Sequence, residues 1–259
     1  MELLVIKLFG APMFIGLASM AGKRWGQAVA GFLGGLPMVA GPIILALWLQ
    51  HGASFAAAAA RAIPAGLLGI AAHILLFGLA SQRFGWLASL LIGWAGFLVV
   101  GLGLVVMGQA DQAWVSVAAM LSLILAARLV PHPVAPPTDT HLPKAELAAR
   151  MGAALLLVVV LTTLASRLGT TLTGVLTVFP VASSVMPAFT FATAGRNALL
   201  VQLKGFCAGM TGLGAFAITV GLGLVDLGGW AFCLAVALSI STALIISHLL
   251  RRLEPTTSD

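Results

Sequence analysis

Apolar runs of about 18–25 residues recur along this whole chain, and short polar stretches separate them. That feature leaves little choice of fold. A run of this length crosses the hydrocarbon core of a bilayer as a helix, whereas a barrel strand needs only about 10 residues in alternation. Composition closes the soluble alternative: 61% of the 259 residues are hydrophobic and 8% charged, with a mean hydropathy of +1.12. A soluble domain of this size has no means of covering its surface with so few polar groups. The fold class is an all-α polytopic membrane protein.

Nine spans are expected, near 3–21, 27–50, 58–80, 84–107, 113–130, 147–165, 170–194, 198–224 and 228–250. The polar turn Gly108–Gln112 divides what would otherwise be an over-long fourth span. Basic residues then fall unevenly. Lys23, Arg24, Arg83, Arg128, Lys144, Arg150, Arg196, Lys204, Arg251 and Arg252 lie on one side, against Lys7, Arg61 and Arg167 on the other. The positive-inside rule puts the N-terminus outside and the C-terminus in the cytoplasm of a bacterial inner membrane. The same rule explains the net charge of +6 without nucleic acid, since no basic cluster exceeds two adjacent residues. The N-terminus lacks a basic leader and a clear cleavage site, so it reads as a retained first helix.

The Pro-rich stretch 131–147 reads as a stiff cytoplasmic linker. His132, Asp139 and His141 within it are weighed as metal ligands, but a solvated linker is the simpler reading. Cys207 and Cys233 fall in apolar runs and read as small core residues. No metal or other cofactor is expected.

A shift of 143 residues aligns 24–78 with 167–221 without gaps. The identical pairs are Arg24/Arg167, Gly26/Gly169, Gly31/Gly174, Leu33/Leu176, Pro37/Pro180, Gly52/Gly195, Ala65/Ala208, Gly66/Gly209, Gly69/Gly212, Ala72/Ala215 and Gly78/Gly221. Arg61 also meets Lys204. Residue types carry the argument, because glycines, a mid-span proline and two basic positions hold register together. The expected organisation is a first repeat at 1–109 (spans 1–4) and a linking fifth span and loop at 110–146. A second repeat follows at 147–252 (spans 6–9), then a tail at 253–259. An offset of five spans makes the two four-helix repeats inverted, about a pseudo-two-fold axis in the membrane plane.

In "GGLPMVAGP" of span 2 and "TVFPVASSVMP" of span 7, prolines interrupt matching helices. A proline lacks the N–H owed to the carbonyl four residues back, and an orphaned carbonyl in hydrocarbon costs several kcal/mol. Paired interruptions in inverted halves point to a transport site, and a half-helix starting there aims its N–H groups inward, towards anionic or carbonyl groups. The alternative is that both prolines only kink helices for packing.

The stretch from Gly31 to Ala62 resembles the GlpM-like small bacterial membrane proteins. The likeness rests on Leu36-Pro37, Gly52 and Arg61, repeated as Phe179-Pro180, Gly195 and Lys204. Those proteins are about half this length, so the resemblance implies a fused, duplicated version joined by the fifth span, and it implies no activity. Leu36 departs from the aromatic residue of the pattern.

The expected site residues are Pro37, Ala40, Gly41, Pro180, Ser183, Ser184, Thr177 and His73. His73 reads either as a proton relay or as a neutral histidine bonded to a carbonyl. Ser183, Ser184, Thr177 and Thr190 either bind cargo or bond back to freed carbonyls. Arg61 and Lys204 either greet an anion or snorkel. Gly31/Gly35 and Gly205/Gly209 permit close helix crossing. No acidic side chain lies at mid-membrane, which disfavours a proton-coupled cation exporter, and no catalytic motif is present.

The expected function is secondary transport of an unknown small solute, neutral or anionic, from a midplane site in the lipid bilayer. The arrangement is compatible with a homodimer. A structural subunit of an envelope-synthesis complex and a lipid or lipid-linked flippase are the alternatives.

Overall fold

The computed structural model describes residues 24–134 and 144–252. The expected first span, 3–21, lies outside the described residues, as do Asp139 and His141. Eight helical stretches follow in order: α1 Gln27–Gly35, α2 Ala40–His51, α3 Ala53–Ala80, α4 Trp86–Val106, α5 Ala113–Leu129, α6 Lys144–Thr177, α7 Ala182–Leu227 and α8 Trp230–Arg252. There is no strand among the described residues. Five units are long and apolar enough to cross a membrane: the broken pair α1–α2, α3, α4, α7 and α8. α5, with 17 residues, reaches about 26 Å and is closed by Pro131 beyond its C-terminus.

α1 ends because Leu36 precedes a proline, which excludes the helical conformation there; Leu36 is extended (φ −69°, ψ 163°). A three-residue turn centred on Pro37 follows, with the Met38 N–H donating to the Leu36 carbonyl at 2.7 Å. The chain does the same between α6 and α7. The Val181 N–H donates to the Phe179 carbonyl at 2.6 Å, and the turn is centred on Pro180.

The expected divisions at 165–170 and 194–198 fall where the helix is broken, but with no loop: α6 and α7 are each two helices meeting at one glycine of non-helical conformation, Gly169 (φ 73°, ψ 172°) and Gly195 (φ 79°, ψ −178°). Their counterparts Gly26 (φ 89°, ψ 174°) and Gly52 (φ 84°, ψ 170°) have the same conformation. This region is open essentially to glycine alone, so one residue turns a helix without a loop.

α3 and residues 196–227 of α7 form the centre. Of the most apolar stretches, 72% of that in α3 and 67% of that in α7 is buried, against 33% in α4 and 17% in α8. The two central segments run antiparallel: Arg61 meets Gly221, Leu67 meets Gly214 and Leu203 meets Gly78. α1 packs parallel to the start of the second segment, since Ala28 and Phe32 meet Gly205 and Gly209. A Cβ at Gly31 would overlap the Gln202 carbonyl, and one at Gly174 would overlap the Ala59 carbonyl, which is the same contact moved by 143 residues. Gly209 against the Phe32 carbonyl has the same counterpart in Gly66 against the Val175 carbonyl.

The outer faces of α4, α5 and α8 are apolar and exposed, with Trp86, Trp114 and Trp230 at their N-terminal ends, where interfacial tryptophans sit. Cys207 is buried as expected, but Cys233 lies exposed on α8, because the peripheral helix turns that face outward. The two ends of the bundle differ in charge. Contacts of Lys204 with His132, Asn197 with Val134 and Gln202 with Gln27 define one end. Arg24, Arg83, Arg128, Arg196, Lys204 and Arg252 gather there. Arg61, Arg167, Asp111 and Asp226 lie at the other.

Candidate functional site

The two breaks face each other across a cavity of about 30 Å³. It sits midway along α3 and the long limb of α7, at Ile70, Met210 and Leu213. Its walls pair positions 143 residues apart: Gly34 with Thr177, Leu36 with Phe179, Ala40 with Ser183, and Ile70 with Leu213. That Ala40 and Ile70 share one wall also shows that the chain doubles back at Gly52. The volume holds one or two water molecules.

Of the expected site residues, Ala40, Pro180, Ser183 and Thr177 line this space. Pro37 shapes the turn without facing it. Gly41 packs towards Phe216, whose Cζ lies 3.8 Å from where a Cβ would stand. Ser184 is turned aside, its hydroxyl accepting a bond from Trp94 Nε1 at 2.8 Å. The Thr177 hydroxyl is also spent, donating to the Thr173 carbonyl at 2.7 Å. The hydroxyls of Ser183 and Thr190 are buried without a partner among the described residues.

His73 stands behind the cavity wall. Its Nε2 lies 3.1 Å from the Ser183 carbonyl, which can only accept, so this nitrogen carries the proton. The reason for the contact lies in the sequence. Pro187, four residues after Ser183, has no N–H to return to that carbonyl, and His73 supplies the missing donor. The corresponding position to Pro187 in the first half is Ile44, which retains its N–H, and the position corresponding to His73 is Phe216. A histidine thus occurs where a proline orphans a carbonyl, and an apolar ring where none is orphaned. The carbonyl-bonded reading of His73 describes this geometry. Its Nδ1 has no hydrogen-bond partner among the described residues and lies against Gly93 of α4, at 2.7 Å from where a Cβ would be built.

Polar groups at the cavity are therefore few. The helices beginning there, α2 and α7, have no side-chain cap. The Gly41 N–H returns to the Pro37 carbonyl, and Pro42 has none. The N–H groups of Ala40 and Ser183, at matching positions, find no backbone acceptor among the described residues. With the Ser183 hydroxyl they form a set of donors facing apolar walls.

Sequence reasoning missed Trp94, Leu36, Phe179, Ile70, Met210 and Leu213. Trp94 left a usable signal: it is the one tryptophan in the middle of α4, where its N–H has to find a partner. Arg61 donates to the Gly221 carbonyl at 2.9 Å, and Lys204 Nζ meets His132 Nδ1 at 2.7 Å, so each is engaged at its own end and away from the cavity. No group of three His, Cys, Asp or Glu side chains converges among the described residues.

Comparison with protein families, characterised proteins and solved structures finds no match for this chain.

Proposed function

We propose that this protein is a secondary transporter of a small neutral or anionic solute, without enzymatic activity, in a bacterial inner membrane. Its nine spans form two inverted four-helix repeats joined by α5, which packs against both central segments. The observation that carries the reading is the pairing of the two proline breaks across one cavity, midway along antiparallel central helices. Non-helical backbone at membrane depth is tolerated where it lines a cavity, and inverted-repeat transporters bind cargo between interrupted helices. The charge difference between the bundle's ends supports a cytoplasmic basic end. Alternating access then consists of one half rocking against the other, opening the small cavity to each side in turn.

The test places single cysteines at Ala40 and Ser183 after removal of Cys207 and Cys233. Labelling by a membrane-impermeant thiol reagent is expected from either side of the membrane, in proportions that shift with conditions favouring one facing state. Permanent shielding of both cysteines under every condition contradicts the transport reading. It favours the rival, a rigid subunit of an envelope-synthesis complex, whose breaks serve packing. Labelling only by reagents dissolved in lipid favours a flippase.

A further inference from the structure

We propose that the cavity between the two breaks is a binding site for one small monovalent anion of halide size. The inference rests on the transport reading and names the class of its cargo. Three observations converge on it. Two helices of opposite halves, α2 and α7, begin at this cavity, and both lack side-chain caps, so the positive ends of two helix dipoles face one space. The Ser183 hydroxyl, fully buried, has no acceptor among the described residues. The Ala40 and Ser183 N–H groups likewise lack backbone acceptors among the described residues. This is a surplus of donors with nothing to receive them, and a buried donor left unmet is costly.

The charge of the ligand follows from what is missing from the wall. Among the described residues no Asp or Glu side chain lines the cavity, so none of them neutralises a cation there. No described Lys, Arg or His side chain lines it either, so a multiply charged anion such as sulfate or phosphate finds no counter-charge among these residues in a low-dielectric interior. Partial charges of two helix ends and one hydroxyl suit a single negative charge. Size agrees: about 30 Å³ accommodates an ion about as large as a water molecule. The site is also lopsided. Ser183 corresponds in register to Ala40, and Thr177 to Gly34, so among the described lining residues the hydroxyls come from the second half and the first half offers backbone and apolar surface. The halves therefore contribute unequally, and Ser183 is the residue on which affinity depends.

The experiment uses the full chain purified in detergent, exchanged from sodium gluconate into sodium chloride, bromide or sulfate, with melting temperature read at each concentration. Proteoliposome halide flux is measured in parallel. Chloride and bromide are expected to raise the melting temperature with the logarithm of their concentration once it exceeds the dissociation constant, while sulfate does not. Ser183→Ala is expected to weaken the apparent chloride affinity about tenfold, from loss of one hydrogen bond to a charged ligand. Ala40→Ser, which adds a hydroxyl donor to the wall, is expected to strengthen it. Identical melting of the unsubstituted protein in gluconate, chloride and sulfate overturns the proposal and needs no variant to do so. A silent anion series together with alternating accessibility at Ala40 overturns the anion site alone and leaves transport standing. A silent series with both cysteines permanently shielded removes both.

Discussion

His73 and Phe216 occupy matching positions, and each faces the break of the other half. The difference between them is set by Pro187 and Ile44 at another matching pair. His73→Phe leaves the Ser183 carbonyl without a donor in the interior, and the expected loss of stability is about 1–3 kcal/mol. Adding Pro187→Ile restores a backbone N–H four residues along and is expected to recover most of that loss, giving the second half the residue pair of the first. Reversible unfolding in mixed detergent measures both. A double variant no more stable than His73→Phe alone contradicts the pairing. This relation was only half legible in the sequence. The proline announces an orphaned carbonyl, but which residue meets it depends on α3 packing against α7 across 110 positions. The same holds for the hydroxyls: Trp94 takes Ser184 across 90 positions, Thr177 turns to its own helix, and only Ser183 stays free at the cavity.

At the scale of elements, the glycines divide into two kinds with different predicted costs. Gly52 and Gly195 have open space where a Cβ would stand, yet each has a positive φ, 84° and 79°. Alanine at either is expected to cost about 1–3 kcal/mol through the backbone alone. Gly103, within α4 and equally open, is the control, and alanine there is expected to be neutral or mildly stabilising. Gly31 and Gly174 fail for the other reason. A Cβ at each meets a carbonyl of the opposite half, so alanine is expected to force the halves apart and to cost about 1–3 kcal/mol or more. Thermal melting of the four variants and the control separates these causes. The proline breaks were legible because their signals are local. The breaks at Gly169 and Gly195 were legible as matching glycines between spans, but their geometry was not, since nothing in composition says that one residue with positive φ and extended ψ joins two helices without a loop.

At the scale of the whole molecule, the arrangement of contacts follows the 143-residue register more closely than the residue identities do. Gln202 meets Gly31 as Ala59 meets Gly174, although glutamine and alanine share no chemistry. The likeness lies in backbone approach, which small residues permit and sequence identity under-reports. The peripheral placement of α4 and α8, and of α5 against both central segments, was not legible, because apolar faces towards lipid and towards protein have the same composition. The central claim is that matching positions of the two halves lie on opposite sides of the membrane. Ser54 and Arg196 are both exposed and lie within two residues of Gly52 and Gly195. In a chain lacking Cys207 and Cys233, Ser54→Cys and Arg196→Cys are labelled singly with an impermeant maleimide in intact cells and in inverted vesicles. The account predicts that Ser54→Cys reacts only in intact cells and Arg196→Cys only in inverted vesicles; reaction of both from the same side contradicts it.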